Sequence, residues 1–163
     1  MTGKADYVDE EWKRLVRAPF VAGLALSIAD PGGPIEMAHE TMATLKAATA
    51  PPSREQLLLE VSTDIMTMVN AKQNPLSGFK PDNSALAGKM ILDELTTVNE
   101  ILNAKATGEE ADAFRRWLLE VAQAAANAAK EGGFMGFHAV RVSEGEEKML
   151  QQMRETLGST ENA

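Results

Sequence analysis

Apolar residues recur along this chain at three- and four-residue intervals, and the runs break where Pro and Gly cluster. That period belongs to helices with one buried face, and six such stretches can be read. The first runs from about Asp9 to Ala29 and ends at Asp30-Pro31-Gly32-Gly33. Pro19 lies inside it and is expected to kink it or divide it in two, because proline lacks the N–H of the helical ladder. Beyond Pro19 the segment is apolar all round, which predicts burial on every side or a place at a subunit interface. The second helix opens with Pro34 in its first turn and ends before Pro51-Pro52.

The third helix is expected to start at Ser53, with Gln56 completing a capping box. Leu57, Leu58, Val61, Ile65, Met68 and Val69 share one face, and Leu59 and Met66 widen it. So broad an apolar arc predicts a helix near the middle of a bundle. A polar loop from Asn74 to Asn83 leads to a fourth helix from about Ser84 to Lys105. The fifth is capped by Thr107 and Glu110 and carries a core stripe of Phe114, Trp117, Leu118, Val121, Ala125 and Ala128. Its alanine-rich second half lets a neighbour approach closely, and Gly132-Gly133 ends it. The sixth opens at Ser143 with Glu146, carries Met149, Leu150, Met153 and Leu157, and stops at Gly158. No strand-like alternation exceeds Phe137 to Val142. The expected fold is all-α: a single-domain irregular helical bundle over residues 1–163, with flexible ends at 1–8 and 159–163.

The stretch Arg116-Trp-Leu-Leu-Glu-Val-Ala-Gln, followed by Glu131-Gly-Gly-Phe-Met-Gly-Phe-His-Ala-Val-Arg-Val-Ser-Glu-Gly-Glu, resembles the C-terminal signature of a family of small all-helical bacterial proteins of unknown function. Ala18-Pro-Phe-Val-Ala-Gly and Ala29-Asp-Pro-Gly-Gly-Pro resemble the same family, so the likeness covers most of the chain. It brings no activity with it. A fainter likeness to the tellurite-resistance helical domain rests on Ala29-Asp30, Gly33 and Glu36, and on Val142-Ser143-Glu144.

Composition narrows the chemistry. With no cysteine, disulfides, thiolate zinc sites, iron–sulfur clusters and cysteine nucleophiles are excluded. The net charge of −8 is spread along the chain without a basic stripe, which argues against nucleic acid or anionic lipid as a primary partner. The longest apolar run, Ala18 to Ala29, is too short to span a bilayer. It follows an acidic N-terminal stretch unlike a signal peptide. No membrane association and a cytoplasmic location are expected.

Three constellations are candidates for chemistry. Glu36 and His39 form a Glu-x-x-His pair, the spacing that presents two metal ligands from one helix face. A di-metal site needs two such pairs, and the only other histidine, His138, lies in a loop, so the expectation is no metal and no cofactor. Glu94 falls inside the apolar arc of the fourth helix, beside Met90, Val98 and Ile101. A carboxylate facing a core must meet a cation, accept several hydrogen bonds or stay protonated. Phe134, Met135 and Phe137, with His138, place large side chains in the loop after Gly132-Gly133, where they pack back on the bundle or meet a partner. The glycines themselves read as a helix stop, since phosphate loops follow a strand and open a helix. Any Ser-His-Asp set would have to use His39 or His138. The nine methionines sit at core spacings. The sequence points first to a non-enzymatic helical module that forms a homodimer or binds a partner protein. The competing reading is a small-ligand or metal-binding bundle, possibly catalytic, built on Glu94 or on Glu36 and His39.

Overall fold

The computed structural model describes residues 1–81, 85–131 and 142–158, apart from the side chains at 130 and 131. Among these residues the protein is all-helical, with no strand. A 3-10 turn at Lys4–Asp6 precedes α1 (Asp9–Ala29), α2 (Pro34–Ala48), α3 (Gln56–Asn70), α4 (Ala87–Lys105), α5 (Gly108–Glu131) and α6 (Glu144–Leu157). None of these helices is long and apolar enough to cross a membrane.

Four of the helix starts share one device. An acidic residue three positions on reaches back to the free N–H at the start, as Glu11 does to Val8, Glu36 to Gly33, Glu110 to Thr107 and Glu146 to Ser143. Thr107 and Ser143 return the bond through their hydroxyls, completing the two expected capping boxes. The third expected box does not form. α3 begins at Gln56, whose side chain donates to Glu60 instead, and the Ser53 hydroxyl is buried without a hydrogen-bond partner among the described residues.

α1 and α5 form the centre of the bundle, each touching all the other helices. α1 runs unbroken through Pro19, which is buried beside Ala18, so the proline does not divide it. The all-round apolar segment is satisfied within the chain: Val21, Ala22, Ala25 and Leu26 are fully buried, while Phe20, Leu24 and Ile28 pack at the core's margin. α3 is not central. It buries Leu57, Leu58, Val61 and Ile65 but leaves Leu59 and Met66 in solvent, 43% and 49% exposed. The α5 stripe is buried as its spacing predicts, and Phe114 and Trp117 meet edge to face at 5.4 Å.

The N-terminal eight residues, expected to be loose, are fastened. The Thr2 N–H and hydroxyl donate to Glu110, the Lys4 N–H donates to Glu60, and Tyr7 is buried. Glu110 thereby has all its bonds from backbone and hydroxyl donors in a fully buried position. Residues 159–163 lie outside the described residues.

Candidate functional site

Arg14 and Arg17 are three apart on α1, so both project toward the same neighbour, α4. There they meet Glu94, which is only 6% exposed. Arg17 donates to Glu94 Oε1 from Nε at 2.9 Å and lies 2.8 Å from it through Nη2. Arg14 Nη1 donates to Oε2 at 2.5 Å. Of the ways a core-facing carboxylate can be satisfied, this one uses cations, two for a single acid. Arg17 also lies over the Phe79 ring, 5.6 Å from its centre.

The two arginines form one wall of a cleft of about 900 Å³ between α1, α3 and the loop after α3. The loop is held in place by Gln73 N–H to Met68 C=O and Phe79 N–H to Leu76 C=O, with turns at Lys72 (φ 56°) and Gly78 (φ 86°). At the other end of the cleft, Asp64 accepts from the Trp12 indole N–H and from Lys4, each at 2.8 Å. Burial works to raise the Asp64 carboxyl, but these donors outweigh it and hold it below the usual carboxylate range.

α2 presents a different anomaly: it is inside out. Glu40 and Thr44 are buried at 2% and 6%, whereas Ile35, Met37 and Met42 are exposed at 68%, 54% and 65%. The cause lies on α1. A Cβ at Gly23 would fall inside the Thr44 side chain, so the two helices cross closely at these small residues and fix Thr44 inward. Glu40, one turn earlier, is carried inward with it and accepts from the Ser27 hydroxyl. The Trp117 indole N–H donates to the Ala47 carbonyl, pinning the other end of α2 against α5. Burial pushes the Glu40 carboxyl above its ordinary range against the pull of Ser27, and Glu146, Glu36 and Asp30 add to the rise.

The structure therefore joins Glu94 to partners that sequence reasoning did not supply. A clue was present: Arg17 sits among Leu15, Val16, Ala18 and Pro19, where a guanidinium must find an acid. Among the described residues Glu36 and His39 do not converge on a common site. Glu36 caps Gly33, His39 is exposed, and no group of three or more His, Asp or Glu is placed to hold a metal among the described residues. Phe134, Met135, Phe137 and His138 lie outside the described residues. Comparison with family models, curated proteins and solved structures finds no match to this chain.

Proposed function

We propose that this protein is a non-catalytic helical module that self-associates through the outward face of α2. The observation that carries this reading is the inversion of that helix. Ile35, Ala38, Met42 and Leu45 follow the alternating three- and four-residue spacing of a helix-pairing seam. The first three are exposed and Leu45 is half-buried. Leaving Ile35 and Met42 in water forfeits roughly 1.5–3 kcal/mol each relative to burying them, so a surface of this kind favours a partner.

Charge argues that the partner is a second copy. The chain is strongly acidic, at −8, and two copies repel over most of their surfaces. On α2 the carboxylates are turned away: Glu40 is buried and Glu36 is drawn back to Gly33. The outward face keeps His39, Thr41 and Lys46 beside its apolar residues and no carboxylate among them, so like-charge repulsion is weakest there. An isologous pairing of α2 with α2 places the same face on both copies. Light scattering tests this. The expected mass at micromolar concentration is about twice 17.6 kDa, falling to the single-chain mass in Met42→Glu. A single-chain mass for the unmodified protein across that range would overturn the reading.

A further inference from the structure

The cleft between α1, α3 and the loop at Pro75–Gly78 contains no α2 residue, so what it does is independent of the pairing proposed above. Its arginine wall sets Lys13, Arg14 and Arg17 beside Glu94, with Asp9 and Glu10 also lining the cleft. Glu94 engages Nε and Nη2 of Arg17 and Nη1 of Arg14. Arg17 Nη1 and Arg14 Nη2 are left without a hydrogen-bond partner among the described residues, although Arg17 is only 8% exposed. Lys13, on the same wall, makes no ion pair among those residues. The nearest competing acid, Glu10, stands 3.7 Å from Arg14 Nε and is largely in solvent.

The loop keeps this wall open. A Cβ at Gly78 would lie 3.4 Å from Arg17 Nη1, so the bare glycine leaves the guanidinium edge uncovered. The acid at the far end does not neutralise it, because Asp64 is already held by Lys4 and Trp12. Between the two ends Val16, Met68 and Pro75 supply apolar lining beside Thr67 and Ser77. At about 900 Å³ the space is metabolite-sized rather than ion-sized. A guanidinium pair with unused donors is a fork for a carboxylate or a phosphate.

We infer that this cleft binds a small organic anion, its carboxylate or phosphate head on Arg14, Arg17 and Lys13 and its apolar body against Val16, Met68 and Pro75. The buried Glu94 then acts as a positioning residue, holding both guanidinium groups side by side so that their remaining N–H groups converge.

Calorimetric titration of the full chain separates head from body and one head from the other. The probes are phenyl phosphate and 4-phenylbutyrate, with inorganic phosphate and phenol as head-only and body-only controls. At least one of the two amphiphilic anions should bind about tenfold or more tightly than either control, and the stronger of the two identifies the head. Arg14→Gln should weaken that binding about tenfold or more. Lys13→Gln, on the exposed side and without a structural bond, should weaken it several-fold with an unchanged circular dichroism spectrum. Failure of both anions to saturate in the millimolar range would overturn the proposal. So would binding that Lys13→Gln and a folded Arg14→Gln leave unchanged.

Discussion

Arg17 meets Glu94 side-on, with Nε and Nη2 both within 2.9 Å of one carboxylate oxygen, while Arg14 takes the other oxygen. This arrangement ties α1 to α4 at a level where the surrounding residues are apolar. Its strength lies less in Coulomb attraction, which desolvation largely offsets, than in the cost of breaking it from one side.

Glu94→Gln keeps the shape and removes the charge, leaving the Arg17 guanidinium buried without its counter-ion. Urea unfolding should show a loss on the order of 3 kcal/mol. Replacing both ends at once, Arg17→Met with Glu94→Leu, should recover most of that loss, because Arg14 is 28% exposed and can turn to water. A cost under about 1 kcal/mol for the single change would mean that the pair is not coupled in solution.

Glu40 gives a pH dependence of opposite sign to most carboxylates. Its carboxyl lies above the ordinary value of 4.5 in the folded chain, so the folded state holds the proton more tightly than the unfolded one. Its contribution is therefore fully present below about pH 4.5 and lost as pH rises through the folded value. Glu40→Gln removes that loss while its amide can still bond Ser27. At pH 7 it should stabilise by on the order of 1 kcal/mol, or about 2–4 °C in melting temperature for a chain of this size. The gain should fade as the solution is acidified toward pH 4. A variant less stable than the parent at pH 7 would show that the Glu40 carboxylate is compensated.

Gly23→Ala sets two effects against each other. Helix propensity favours alanine by about 1 kcal/mol. The added Cβ, however, falls within the Thr44 side chain and must push α2 away from α1, at about 1–3 kcal/mol for overpacking of this kind. The crossing should win, and thermal melts should show a less stable protein. A stabilised variant would mean that α2 does not approach α1 this closely.

The helices and most of their ends were legible because they depend on neighbours in sequence. Thr107 with Glu110 and Ser143 with Glu146 cap as their spacing says. Ser53 fails because the same local pattern has a competitor, Glu60, for the Gln56 side chain. The place of Glu94 in the apolar arc of α4 was legible, since a wheel position is a local property, whereas its burial depends on a neighbour and its partners lie 77 and 80 residues away on α1. The inversion of α2 could not be read. Its own pattern puts Ile35 and Met42 on the side that burial would ordinarily take. The orientation is decided by a glycine on another helix, and a one-helix wheel holds no information about that crossing.

Self-association through the outward face of α2 brings the two copies of that helix side by side, so a distance between them is decisive. The chain has no cysteine, so Ala38→Cys on the exposed seam offers one site for a spin label. Labels on two copies should show strong dipolar coupling at the short separation of paired helices, whose axes lie about 8–10 Å apart, and lose it when Met42→Glu is added. Labelled protein with no dipolar modulation at micromolar concentration, or with modulation that Met42→Glu leaves intact, would contradict it.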